Sequence, residues 1–317
     1  MVSSIGSTTA TVSWTGSSAA YNIEYDTLGF TLGTGMTDTV TAASVALTGL
    51  MPNTTYTVYV EGDCSGAGNG LSPLSLPVTF TTSCAAYSTF PFTENFDGAS
   101  WIPDPSGWSN AAAVLDQCWS GTPTPGNGNF WGPRAGSLAF ASGPATGFGG
   151  SGNCVYTQQD WGYTNDSAIL TSPVFDFSSL TTPYLTFKYF MYGKHVSALY
   201  VQVTNDAGAT WTTITSLYGE KQSDKSDPWL EATASLTGYN TSAVKIRFVA
   251  VTTGAWRETF SIVGLELLTL GIPLVTYASG GMGEYIVDPF GVSNSSTRCN
   301  AKVEEYIQSV DVISSLN

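Results

Sequence analysis

Leu50-Met51-Pro52-Asn53-Thr54-Thr55-Tyr56-Thr57-Val58-Tyr59-Val60 is the stretch that decides how this chain folds. From Thr55 onward hydroxyl-bearing and apolar residues interleave, the period of a strand with one face buried. Tyr56 stands where a ring can lie over the corner of a sheet and return its hydroxyl to the backbone. Working outward, the same alternation recurs in Thr9-Ala-Thr-Val-Ser-Trp14, in Tyr184-Leu-Thr-Phe-Lys-Tyr-Phe190, in Ala198-Leu-Tyr-Val-Gln-Val203 and in Val244-Lys-Ile-Arg-Phe-Val-Ala250. Gly, Asn, Asp, Ser and Pro separate these runs, and helix signals are almost absent. Many short strands without intervening helices predict an all-β chain of packed sandwiches.

Composition narrows the function. The chain has 317 residues, enough for about two domains. It carries 10 Lys and Arg against 24 Asp and Glu, a net charge of −14, and only 11% of its residues are charged. The first cation is Arg134. A nucleic-acid binder needs a basic footprint to displace counterions, and this composition supplies none. Polybasic attachment to a membrane is excluded for the same reason. The longest apolar run, Ile262 to Leu270, is interrupted by Gly264, Glu266 and Thr269 and is too short to span a bilayer. Met1-Val2-Ser3-Ser4 leads directly into strand-like sequence without a signal-peptide pattern, so the opening reads as a mature or cut start, or as export by another route.

With the upstream Trp14, and with Tyr21 and Tyr25 alternating on the next run, the Leu-x-Pro-x-Thr-x-Tyr segment resembles a fibronectin type III domain of the kind found in secreted Bacteroidetes proteins. The resemblance covers residues 1–84 and implies a small sandwich whose first strand is cut short at Met1 to Ser4. Residues 85–270 resemble a MAM-like jelly roll. Phe92-Thr-Glu-Asn-Phe-Asp97, Cys118-Trp119, the run from Ala168 to Phe177, then Leu199 to Trp211 and Val244 to Ala250 follow in that family's order. Residues 271–317 match neither pattern and are expected to form a C-terminal extension, an inter-subunit strand or docking tail. Val303, Ile307, Val310 and Ile313 fit a helical stripe, and Val310-Asp311-Val312 fits a strand equally well.

There are five cysteines and one histidine, with no C-x-x-C pair, so thiolate zinc sites are not expected. The fibronectin resemblance implies a Cys64–Cys84 bridge, and Cys118 with Cys154 is the second pairing expected. Cys299 is left over, as a buried thiol, a free one or an intermolecular bond. His195, between two strands, reads as an exposed hairpin residue. No activated nucleophile or phosphate loop appears. Glu94, Asp97, Asp160, Asp166, Asp176, Asp206 and Glu258 are carboxylates that paired catalysis could use, at no more than the ordinary frequency of sandwich loops. Thr204-Asn-Asp206-Ala-Gly208-Ala-Thr210-Trp211 has the spacing of an Asp-box hairpin. There Asp206 bonds turn amides, Gly208 takes positive φ and Trp211 packs beneath.

No cofactor is expected beyond one structural calcium. The jelly-roll resemblance places that ion at Glu94 and Asp97, although Ile262-Val-Gly-Leu-Glu266 stands where an Asp pair would complete it. Trp108, Trp131 and Trp161 lie in Ser-, Gly- and Asn-rich loops and are candidate platforms for sugar rings; the competing reading is that they plug a large sandwich. Asn53, Asn165, Asn240 and Asn294 head N-x-S/T triplets. Thr27, Thr39 and Ser167 follow Asp in a pattern that the family resemblance makes an O-glycan acceptor. The expected protein is extracellular or on the cell surface, non-catalytic, and structural or adhesive. Its expected partners are copies of itself, as in a filament built through the C-terminal tail, or surface glycans. The alternative is a glycan-binding accessory module of a larger secreted enzyme.

Overall fold

The computed structural model describes residues 1–104, 112–123, 131–135, 143–148, 152–159, 167–253 and 258–269. Met1–Leu268 forms one compact unit and Thr269–Asn317 a second, which beyond Thr269 lies outside the described residues. Within the first unit are two β-sandwiches, each with its own hydrophobic core.

The N-terminal sandwich runs β1 (Val2–Ser3), β2 (Thr9–Ser13), β3 (Ala20–Thr27), β4 (Met36–Val40), β5 (Ser44–Thr48), β6 (Thr55–Asp63) and β7 (Val78–Thr81). One sheet has the order β1-β2-β5 and the other β4-β3-β6-β7, with every recorded pairing antiparallel. Alternation does the sorting. Ala10, Val12, Val45 and Leu47 enter the core from one sheet, and Tyr21, Ile23, Tyr56, Val58 and Phe80 from the other. Burying such large apolar side chains is worth about 1.5–3 kcal/mol each. The corner expected at Tyr56 is present: its Oη accepts the Met51 amide hydrogen at 2.9 Å, with the ring buried. β1 is only two residues long. Met1 extends its cover of β2, because the Met1 ammonium donates to the Ser13 carbonyl (2.6 Å) and the Ser13 amide to the Met1 carbonyl (2.8 Å). The bare edge that a short first strand suggests is therefore confined to the outer side of Met1 to Ser3.

The larger sandwich runs β8 (Phe92–Glu94), β9 (Ser120–Pro123), β10 (Gly132–Ala135), β11 (Asn153–Gln159), β12 (Ser167–Thr171), β13 (Pro183–Tyr192), β14 (Val196–Thr204), β15 (Thr212–Tyr218), β16 (Leu230–Ser235), β17 (Lys245–Thr252) and β18 (Glu258–Thr269). One sheet has the order β10-β11-β18-β13-β16 with β8 also paired to β18; the other is β15-β14-β17-β12-β9. Leu170, Phe175, Phe177, Phe187, Val201 and Phe248 fill the space between. The apolar run ending at Leu270 is thus an edge-to-edge partner in a sheet: β18 pairs β11 at residues 258–262 and β8 at 265–267. No helix among the described residues is long and apolar enough to cross a membrane.

The disulfide is a correction. Cys84 bonds Cys118, with the two Cα atoms 5.9 Å apart, so neither Cys64–Cys84 nor Cys118–Cys154 exists. Strand direction explains why. β6 and β7 are antiparallel, with Thr55 opposite Thr81, so Cys84 lies near the start of β6. Cys64 follows the far end of that strand, about 30 Å away at ~3.3 Å per residue. A disulfide needs Cα atoms within about 7 Å. Cys64 instead carries a free thiol, 3.4 Å from Ser18 Oγ, and Cys154 is buried in β11. Cys299 lies outside the described residues. The bridge that does form ties the end of the small sandwich to the segment before β9. Beside it the Asn53 side-chain amide donates to Gln117 Oε1.

Candidate functional site

The outward side of the five-stranded sheet gathers aromatic and hydrogen-bonding side chains. Along β17, Ile246, Phe248 and Ala250 enter the core, so Lys245, Arg247, Val249 and Val251 face outward. Along β14, Leu199, Val201 and Val203 point in, so Tyr200 and Gln202 point out. Register then sets the neighbours. Tyr200 stands opposite Val249 and Ser216, Gln202 opposite Arg247 and Thr213, and Arg247 also opposite Thr171. From Lys245 to Val251 the strip is about 20 Å long at ~3.3 Å per residue. Tyr200 and Tyr218 meet edge to face at one end, 6.0 Å between ring centres, and Tyr218 is 62% exposed.

The β14–β15 turn supplies the other end. Asp206 Oδ1 accepts the Thr204 hydroxyl (2.6 Å) and the Thr210 amide (2.9 Å), and Oδ2 accepts the Thr210 hydroxyl (2.5 Å). These bonds, the Thr204 hydroxyl first among them, hold the Asp206 carboxyl well below the usual carboxylate range. Gly208 adopts φ of 97°, and Trp211 Nε1 donates to its carbonyl at 3.1 Å. The expected turn therefore forms. Trp211 also supports a cation. The Arg247 guanidinium lies 4.2 Å from its ring centre, a cation–π contact. Arg247 Nε donates to Gln202 Oε1 at 2.7 Å, and Gln202 Nε2 donates to Thr213 Oγ1 at 3.0 Å. The guanidinium is thus held flat and aimed by Trp211 and by Gln202, which Thr213 fixes in turn. Such a strip offers ring faces for stacking and fixed donors for hydroxyls or carboxylates. It has no base set against a nucleophile.

The residues picked from sequence fare differently. Trp131 is a correction: it is 2% exposed, and its Nε1 donates to the Ala168 carbonyl at 3.0 Å. It directly precedes β10 of one sheet and reaches β12 of the other, so it fills the space between sheets and cannot stack a sugar. Trp101 and Trp119 are likewise buried around Phe96. Trp108 and Trp161 lie outside the described residues, as do Asn165, Asn294, Asp160, Asp166 and the tail at 300–317.

Glu94 and Asp97 bond backbone amides in two different places. Glu94 Oε1 accepts the Phe96 amide at 2.7 Å, while burial pushes its carboxyl above the usual range. Asp97 Oδ1 accepts the Asn153 amide at 2.6 Å. Among the described residues no group of three or more His, Cys, Asp or Glu is placed to hold a metal ion. Asp176 accepts the Ser178 amide and hydroxyl. His195 sits in the β13–β14 turn, where its carbonyl accepts the Thr253 amide at 2.9 Å.

Among the glycan acceptors, Thr39 is exposed on edge strand β4, and its hydroxyl donates to Asn22 Oδ1 at 3.1 Å. Thr27 ends β3 and Ser167 begins β12, both half-buried. Asn53 lies at the sandwich junction. The Asn240 side-chain amide donates to the Leu180 and Thr181 carbonyls, bonds that an N-linked sugar would displace. Between the sheets of the small sandwich lies a concavity of about 420 Å³, lined by Val12, Trp14, Val58, Leu76 and Val78 without a charged side chain.

What the sequence reading missed is the juxtaposition of residues 200, 202, 211, 218 and 247. The alternation of β14 and β17 carries the signal for which residues face outward; pairing between distant strands does not show in it.

Comparison with known proteins agrees with this architecture. Residues 1–81 match the family model for the fibronectin type III domain, and residues 119–268 that for the MAM domain, meprin/A5/mu. No curated protein matches the chain. Among solved structures it is similar to the K1 cleaved adhesin domain of Lys-gingipain from Porphyromonas gingivalis W83, at 14% identity over 58% of this chain and 100% of that one, with a TM-score of 0.38. It is similar to TmCBM61, solved with β-1,4-galactotriose, at 11% identity over 57% and 99% of the two chains, TM-score 0.36. It is also similar to the fibronectin type III domain of human contactin 1, at 22% identity over 27% and 75%, TM-score 0.23. Fibronectin type III and MAM domains are typically extracellular and non-catalytic, and together they fit an adhesive module.

Proposed function

We propose that this chain is a non-catalytic, extracellular glycan-binding adhesin module, and that it binds through the outward side of the sheet β15-β14-β17-β12-β9. The observation that carries this reading is the strip formed by Tyr200, Tyr218, Trp211, Arg247 and Gln202. A pyranose ring has one face of C–H groups and a rim of hydroxyls. Tyr rings with one apolar face and a polar tip suit the first, and the fixed Arg and Gln donors suit the second. An extended chain lying along β17 meets both kinds of group within one strip, with no pocket required.

The test is isothermal titration of the full chain against a panel of neutral and acidic polysaccharides. Replacing Tyr218 with Ala removes an exposed ring and leaves the core intact, so binding weakens about tenfold or more while the thermal midpoint stays put. An absence of binding across the panel, or binding indifferent to both Tyr200→Ala and Tyr218→Ala, rules this face out.

A further inference from the structure

The five strands of this sheet contain no Asp or Glu at any position, in a chain that has 24 of them. Two of the ten cations, Lys245 and Arg247, project from its outward side along one strand. The opposite sheet is different: Glu94, Glu231, Glu258 and Glu266 all lie on its strands, and Lys188 there is paired with Glu231 at 2.5 Å. That is the one salt bridge among the described residues, so Arg247 and Lys245 have no carboxylate of their own there. Of the acids nearest in sequence to the strip, Glu220, two residues after Tyr218, accepts the Gly193 amide through Oε1 at 2.8 Å, and Asp206 has both oxygens committed to Thr204 and Thr210.

Arg247 is placed as a receptor would place it. Trp211 supports its flat face, Gln202 takes Nε–H, and the two terminal nitrogens have no acceptor among the described residues. A guanidinium so oriented matches the two oxygens of a carboxylate, with charge-assisted bonds about twice as strong as neutral ones. Neutral hydroxyls would use only part of that capacity. The rest of the protein is acidic, but beyond about 8 Å that field is largely screened at physiological salt. Local charge on the strip therefore decides which glycans stay.

Resting on the glycan-binding reading above, we infer that the strip selects carboxylate-bearing polysaccharides over neutral ones: a uronate carboxylate pairs with Arg247 and Lys245 while neighbouring rings stack on Tyr200 and Tyr218. Titration of the full chain with polygalacturonate and with alginate, each beside its carboxyl-reduced counterpart, tests this. The native polymer of at least one pair should bind about tenfold tighter than its reduced form, and that preference should shrink as salt rises. Arg247→Gln should erase the preference, weakening binding of the native polymer about tenfold more than that of the reduced one. Lys245→Gln, which leaves the Trp211 contact untouched, should cost about threefold toward the native polymer only.

Equal or tighter binding of the reduced polymers overturns the selectivity and leaves the glycan-binding reading standing. So does a preference that survives both substitutions. Failure of both native polymers to bind, with neutral polysaccharides of the wider panel still binding, does the same. No binding to any polymer overturns both.

Discussion

Two sheet faces in this molecule are built on the same alternation and carry opposite charge. On the four-stranded sheet of the small sandwich, Asn22, Glu24 and Asp26 of β3 face outward beside Tyr59 and Glu61 of β6. Glu24 uses its Oε1 to hold the Gly33 and Gly35 amides at 2.6 and 2.9 Å. That sandwich has no Lys or Arg at all. On the five-stranded sheet of the larger sandwich, Lys245 and Arg247 face outward with no acid in any strand. The inward residues, which set the fold, are interchangeable in kind between the two sandwiches, while the outward residues differentiate them. One face carries carboxylates and the other cations.

If the two sandwiches are separately stable, the largest effect that shows it lies in the core. Phe248→Ala empties the centre of the larger sandwich and should cost about 3–5 kcal/mol there. In chemical denaturation followed by circular dichroism, the transition of the larger sandwich should move and that of the smaller should not. A common shift would mean a single cooperative unit. Next comes the junction. Replacing Cys84 and Cys118 together with Ser releases a 34-residue loop that includes β8 and Phe96. The expected loss is about 4 kcal/mol, again from the larger sandwich, read as a lower thermal midpoint.

A smaller effect sharpens the other side. Tyr56→Phe leaves the Met51 amide without its partner and should destabilise the small sandwich by about 1–2 kcal/mol, with no change in glycan affinity. The smallest effect is in acid. The folded state holds the Asp206 carboxyl below its unfolded value of about 3.9, so the turn's contribution is complete above that pH and fades as pH falls further. Wild type and Asp206→Ala should therefore differ in thermal midpoint at pH 6 and converge toward pH 2. A difference that widens in acid would contradict the assigned bonds.

Much of this was legible beforehand, for one reason. Period-two alternation is written locally, so β2, β6, β13, β14 and β17 could be placed from it. The Tyr56 corner and the Asp206 turn each lie within a few consecutive residues and were equally readable. The disulfide was not. Cys64 and Cys84 each follow the end of a strand, but antiparallel strands put those ends on opposite sides of the sandwich. Trp131 was misplaced because a flanking Gly looked like a loop when it opened β10. The binding strip was invisible as a unit, since residues 202, 211 and 247 meet only when β14, the turn after it and β17 pair.

The chain's own order of residues settled that it would be all-β, where its strands lie, which side of each is apolar, and that its cations would be few beside its carboxylates. The strand pattern is a property of neighbours two to five residues apart, and the scarcity of cations is a property of composition. Which cysteines bond, which tryptophans are buried and which cation stands free over an aromatic ring were left to the packing of sheets. These depend on pairing across more than thirty residues, and strand register, which no local pattern encodes, makes that choice.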